Sequence, residues 1–199
     1  MDTEPNEYFM THLLPLNPFY FLRHGETDWN KKQVYMGGQD IPLNEVGRAQ
    51  ASLIHQHIKG IRIDHIVSSP LSRAMETAQI VNTHLGLSIT ILDELRECSW
   101  GSAEGQPLND NNMIENWLNG RPPEGGESPI EFEKRIMQGV KKALDLSPHV
   151  LIVSHGGVYH TLSRMMAWPS VDLNNCALIF HQPPLDHTAP WTRTALANQ

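Results

Sequence analysis

Two apolar runs each end in a histidine followed by glycine: FYFLRHG over residues 19–25 and HVLIVSHGG over residues 149–157. This repeated pattern constrains the chain more than any other feature. Phe19-Tyr20-Phe21-Leu22 has the composition of a buried strand. Arg23 and His24 follow at once, and Gly25 permits a sharp exit. A histidine so placed sits at the carboxyl end of a strand, where open α/β sheets bind ligands. His155 and Gly156 repeat the placement at the other run.

The rest of the chain alternates strand and helix signals. Residues 1–16 read as a loose arm ahead of one domain over 17–199. Residues 41–60 read as a helix, capped by Asn44, with Val46, Ala49, Leu53, Ile54 and His57/Ile58 on its inner face and Gly60 at its end. DHIVSSP, 64–70, is a short strand and a polar turn. Ser69 is the expected cap of the next helix and Pro70 suits its first turn. That helix runs to about His84, with Leu71, Ala74, Met75, Ala78 and Val81/Ile80 inward. SITIL, 88–92, is a third strand. The segment 104–127 is less regular and reads as a small cap or insertion. Ser128 and Pro129 open a helix with Ile130, Phe132, Ile136, Val140 and Ala143 recurring. After the fourth strand come a helix over 158–168 and two final strands, one at an edge. The alternation predicts an α/β three-layer sandwich, with a mostly parallel central sheet, helices on both faces and a small cap insertion.

In such a sheet the loops after several strands converge on one edge. His24, the Ser69–Arg73 turn, Glu97 and His155 all follow predicted strands. Taken singly, each has an ordinary reading: a surface histidine, an exposed helical arginine, a solvated acid. Taken together they fit one task. Two guanidinium forks match the oxygens of a phosphate dianion. A neutral histidine can attack phosphorus and form a covalent intermediate. A carboxylic acid can protonate the departing oxygen, and a second histidine can donate to the transferring group.

Composition excludes other classes. The formal charge is −7 and no Lys/Arg run stands out, which argues against nucleic acid or an anionic membrane as the main partner. An anionic substrate therefore needs a local positive pocket. Two cysteines, Cys98 and Cys176, do not suggest a disulfide framework, and a reduced, cytoplasmic setting is expected. No stretch approaches the roughly 18 apolar residues of a membrane span, and the start of the chain lacks a signal peptide's basic and apolar regions. The spacing of the remaining histidines predicts no structural zinc: His55 and His57, two apart on a helix, do not face one another. Trp168 and Trp191 are expected to pack rather than to form a binding box.

RHGETDWN (23–30) resembles the signature of the histidine phosphatase superfamily, the phosphoglycerate mutase-like family. SSPLSRAMETA resembles its second motif, LREC with Gly101 its third, and VSHGG its fourth, in family order. GGQDIPLNEVGRAQA is similar to the stretch after the first motif. The resemblance implies His24 as the nucleophile that becomes phosphohistidine, Arg23 and Arg73 as phosphate clamps, Glu97 as proton donor and His155 as the second pocket histidine. It implies Asn30 and the Gly156 backbone as further phosphate contacts, and neither cofactor nor metal. Two positions depart from the pattern. Met36 stands where glutamine often precedes the glycine, and Ala103 replaces an aromatic, with Trp100 nearby. Both fall at the expected pocket rim.

The activity implied is hydrolysis of a small phosphomonoester through a phosphohistidine, by a monomer or homodimer. PPEGGES (122–128) resembles the GGES stretch of the phosphatase branch. The alternatives are a cofactor-dependent phosphoglycerate mutase and a non-catalytic module that binds a phosphorylated ligand. Retention of both His24 and Glu97 argues against the last.

Overall fold

The computed structural model of the chain describes residues 14–197 except 109, 110, 170, 172, 187 and 188. Its centre is a six-stranded sheet in the order β3-β2-β4-β1-β5-β6. The strands are β1 (Phe19–Arg23), β2 (His65–Ser68), β3 (Ile89–Ile91), β4 (Val150–Ser154), β5 (Leu178–Gln182) and β6 (Thr192–Ala197). β1 to β4 are mutually parallel, while β5 and β6 join as antiparallel strands with β6 at the edge. β1 and β4 are the central pair, so both faces of each must be apolar, which is why they read as unbroken hydrophobic runs.

Helices cover both faces. α2 (Glu45–Ile58) and α3 (Ser72–Asn82) lie on one, where Ala51, Ile54, Ala74 and Ala78 meet Tyr20, Leu22, Leu151 and Val153. α5 (Pro129–Leu146) and α6 (Gly156–Met165) lie on the other, where Phe132, Ile136, Val140 and Tyr159 meet Phe19, Phe21, Val150 and Ile152. The alternation of β1 residues between the two cores is the period of a strand. Trp168 and Trp191 are buried; Trp168 lies against His181, which also stacks on Phe19 at a centroid distance of 4.2 Å, and Trp191 meets Phe19 edge-on.

Several sequence expectations shift. Leu14 is buried and Leu16 packs against the same core, so the arm assigned to 1–16 joins the fold by residue 14. Residues 1–13, His12 among them, lie outside the described residues, as does His187. α2 is rotated from its expected face. Gly47, Ala51, Ile54 and Ile58 are buried, whereas Val46 and Leu53 stand exposed. The cause is the loop after β1: a Cβ on Gly47 would come within 2.1 Å of the Glu26 carbonyl oxygen, so this backbone contact sets the face. Ile130 is likewise exposed, off the stripe formed by Phe132, Ile136, Val140 and Ala143. α3 ends at Asn82, whose side chain bonds both the N–H and the carbonyl of Leu87 and closes the turn.

The largest correction concerns the start of α3. The helix begins at Ser72, and Leu71 at its cap offers no side-chain bond. Ser69 does not cap it. Its hydroxyl accepts from the Leu71 N–H at 3.3 Å and meets His155 instead. The Ser72 N–H donates to Asp40 Oδ1 at 2.7 Å, so the cap comes from a loop 32 residues away.

The cap segment contains α4 (Asn111–Leu118) and is fixed at both ends. Tyr35 N–H donates to Gln106 O and Gly105 N–H to Tyr35 O, tying its start to the stretch after the short helix α1 (Asp28–Lys32). At its end Trp117, buried, donates its indole N–H to Glu127 O at 2.8 Å.

An acidic cap at a helix N-terminus typically contributes about 1 kcal/mol. Asp40→Ala is expected to lower the unfolding free energy by about that amount, seen as a lower urea midpoint with unchanged slope. A cap at Ser69 would leave the midpoint unmoved.

Candidate active site

Parallel strands put their carboxyl ends at one edge, and four of the polar loops converge there. The β1/β4 register sets Arg23 opposite Ser154. The next residues are then adjacent: His24 N–H donates to Ser154 O at 2.9 Å, and the His24 and His155 rings lie 5.2 Å apart between centroids.

His24 is buried, and its Nδ1 lies 2.7 Å from the Gly25 carbonyl oxygen. A carbonyl only accepts, so Nδ1 carries the proton and Nε2 the lone pair. Gly25 is fixed in turn by Thr77, whose hydroxyl accepts from its N–H, and by close packing: a Cβ there would come within 2.5 Å of Gly47 O. The His24 carbonyl accepts from Asn175 Nδ2 and from the Cys176 N–H. His155 is fully buried at the start of α6, with Nε2 2.7 Å from the Ser69 hydroxyl and, among the described residues, no partner on Nδ1.

Both arginines are buried beside this pair. Arg73 is 1% exposed and donates to Gln39 O at 2.7 Å and Gly37 O at 2.9 Å. Arg23 donates to Leu173 O, and a Cβ on Gly156 would lie 3.5 Å from its Nε. In both, Nε is buried without a partner among the described residues. Burial lowers Arg73 to about 10, with Glu97 and then Asp40 pulling it back up. Arg73 is therefore a cation at neutral pH, and Arg23, lowered by burial and raised by Glu97, shares its field. That field acts on the histidines. Burial first, then Arg73, holds His24 well below the ordinary 6.5, and the same two causes hold His155 there.

The Glu97 carboxylate accepts from the Cys98 N–H at 2.9 Å and from the Gly157 N–H, in the first turn of α6, at 3.0 Å. A negative group at a helix N-terminus is favourably placed. Gly157 is required, because a Cβ there would come within 2.3 Å of Glu97 Oε1. Asn30 closes a capping box with Thr27, and its Oδ1 also accepts from Asn175 at 3.3 Å, which fixes its amide plane. Beside the acid, a pocket of about 480 Å³ is walled by Trp100, Trp117, Phe132 and Trp168, with Cys98 and Gly157 at its Glu97 end.

The residues named from the sequence thus gather at one edge: His24 against His155, Arg23 against Gly156, Glu97 against the α6 terminus. Sequence reading missed Ser69 as the partner of His155, Thr77, Asn175 and Gly157. For Ser69 and Gly157 a signal existed in the SSP and HGG stretches. Asn175 carried none. No group of three His, Cys, Asp or Glu side chains among the described residues has the geometry to hold a metal ion. No described helix is long and apolar enough to cross a membrane.

Two buried guanidiniums, a histidine with its lone pair free and a carboxylate at a helix terminus, gathered on a mostly parallel α/β sheet, have the chemistry that phosphoryl transfer requires. Residues 19–182 match the model of the histidine phosphatase superfamily (branch 1), and the chain belongs to that family. Among curated relatives, it is 38% identical over 166 residues to the uncharacterized phosphatase PhoE of Bacillus subtilis (strain 168), covering 79% of this chain and 81% of that one. It is 34% identical over 176 residues to the probable phosphoglycerate mutase GpmB of Yersinia pestis (strain Pestoides F), covering 80% and 81%. Among solved structures, a mycobacterial glucosyl-3-phosphoglycerate phosphatase in complex with VO3 superposes with a TM-score of 0.77 at 25% identity, over 89% of this chain and 97% of that one.

His181 joins the two site histidines as a buried neutral group, pushed down to about 3 by burial and then by Arg193. For a base whose folded pKa is depressed, the unfolded chain takes up protons first as pH falls. Stability is therefore full above about 6.5 and declines below it, by up to ~1.4 kcal/mol per pH unit for each such histidine. Urea titrations between pH 7.5 and 4.5 are expected to show this decline. His181→Phe, which keeps the stack on Phe19, should reduce the slope by the share of one histidine.

Proposed function

We propose that the protein is a phosphomonoester hydrolase that works through a phosphohistidine on His24, without a metal. The observation that carries this reading is the bond between His24 Nδ1 and the Gly25 carbonyl, which leaves the Nε2 lone pair free beside two buried guanidiniums. In the first half-reaction Nε2 attacks phosphorus and the bond to the ester oxygen breaks, Glu97 giving that oxygen a proton. In the second, water attacks the phosphohistidine, its proton passes to Glu97, and the N–P bond breaks to release inorganic phosphate. Arg23, Arg73 and His155 donate to the phosphoryl oxygens through both halves, in the role a metal ion plays elsewhere. Asn30 and the Gly156 N–H add contacts at the rim and at the helix terminus.

Hydrolysis is favoured over mutase chemistry by the pocket beside Glu97. A mutase must rebind a phosphoglycerate, whose carboxylate needs cations. Here the wall is mostly aromatic and aliphatic, His160 and Arg164 are the basic side chains on it, and Arg164 is engaged by Glu133. The ester's alcohol portion is accordingly an apolar or aromatic body more than a polyol.

His24→Ala should abolish turnover, and acid-labile phosphate should be trapped on His24 in the parent protein. EDTA should leave the rate unchanged. Binding of phosphate esters without turnover would point instead to a sensing module. The Glu97 assignment is tested on the leaving-group burst. General acid catalysis contributes about 10²–10⁴-fold for a poor leaving group and little for p-nitrophenolate. Glu97→Gln should slow the burst from an alkyl phosphate far more than that from p-nitrophenyl phosphate. Equal slowing would remove Glu97 from the role.

A further inference from the structure

Glu104 takes no part in the chemistry above, yet its carboxylate is bonded on several sides. Oε1 accepts from the Gly38 N–H at 2.8 Å, the Trp100 N–H at 3.1 Å and the Ser99 hydroxyl at 3.5 Å, and Oε2 accepts from Gln39 Nε2 at 2.7 Å. The loop it grips is the loop that holds Arg73. Gly37 O accepts from Arg73 Nη2, and Gln39 O accepts from Arg73 Nη1. The peptide group between Gly37 and Gly38 is therefore shared: its oxygen meets the guanidinium and its N–H meets the carboxylate. Such a chain of bonds is cooperative, each dipole strengthening the next. The packing leaves no slack. Gly37 sits at a φ of 53°, and a Cβ there would come within 2.3 Å of Glu104 Oε1.

We infer that Glu104 is a positioning residue for Arg73, fixing through the Gly37–Gly38 peptide the plane and depth at which the guanidinium meets a phosphate dianion. The inference rests on the reading of Arg73 as a phosphate ligand. A fork that must meet two oxygens loses its advantage with small displacement, because bidentate geometry is directional. Glu104 ties the Arg73 loop to the turn that follows Glu97, so the clamp and the acid are held in one frame.

The test is calorimetric binding of inorganic phosphate, which needs no turnover. Glu104→Ala is expected to weaken phosphate about tenfold and Glu104→Gln, which keeps an acceptor for Gly38, about threefold. In an Arg73→Lys background, where no fork remains to be aligned, either change should cost little. Steady-state rates for alkyl and aryl esters should fall by the same factor. Unchanged phosphate binding in both variants, or an equal loss with Arg73 and with Lys at 73, would overturn the inference. So would a loss confined to alkyl esters, which would make Glu104 the acid. If Glu104→Ala does not fold, Glu104→Gln alone decides. Failure of the parent protein to bind phosphate would instead defeat the reading of Arg73 on which this rests.

Discussion

A guanidinium taken out of water must be met by fixed dipoles or opposite charge, or the fold loses several kcal/mol. Arg73 is almost wholly buried, and much of the site edge can be understood as what its burial demands. Two carbonyls of the 37–39 loop accept from its terminal nitrogens. Asp40 ends that loop on the first N–H of α3, the helix that carries Arg73. Glu104 holds the loop from the opposite side. Contacts among the described residues leave Nε of Arg73 and of Arg23 unspent. A buried donor without a protein partner costs stability, and a site that binds a dianion recovers that cost when its ligand arrives.

The sheet supplies the position. Because β1 and β4 are parallel neighbours in one register, two unrelated stretches of chain deliver histidines to adjacent places. Each turn is then locked by its own means. Gly25 is pressed against Gly47, and Gly157 against the carboxylate of Glu97. In both places a side chain would collide with backbone or with the acid.

The strands and the site edge were legible because their signals are local. An unbroken apolar run ending in His-Gly declares a central strand and its exit in seven residues. Two such exits, with the polar loops after two further strands in family order, named His24, His155, Arg73 and Glu97. What escaped the sequence reading depends on contacts between distant segments. Asp40 caps α3 across 32 residues, Ser69 meets His155 across 86, and Asn175 reaches the His24 carbonyl across 151. Ser69 illustrates the ambiguity, since a serine three residues before the first helical residue is equally suited in sequence to cap the helix or to turn inward. The face of α2 was misplaced for a related reason. Periodicity in Val46, Ala49 and Leu53 was real, but a glycine-to-backbone contact outweighed it, and a glycine contributes nothing to a hydrophobic pattern.

The electrostatics of the site also resolve a tension in the composition. A chain of net charge −7 repels a phosphate dianion at long range, so attraction must be local. Two cations set in a low-dielectric edge provide it, and the same field has a second effect. A nucleophilic histidine is useful only when neutral, yet a histidine next to a bound dianion is drawn toward protonation. Burial and the nearby guanidiniums act the other way and hold His24 deprotonated at Nε2. The bond from Nδ1 to Gly25 then fixes which nitrogen is left free. On the proposed mechanism, the groups that attract the anion are thus also the groups that keep the attacking atom able to react with it.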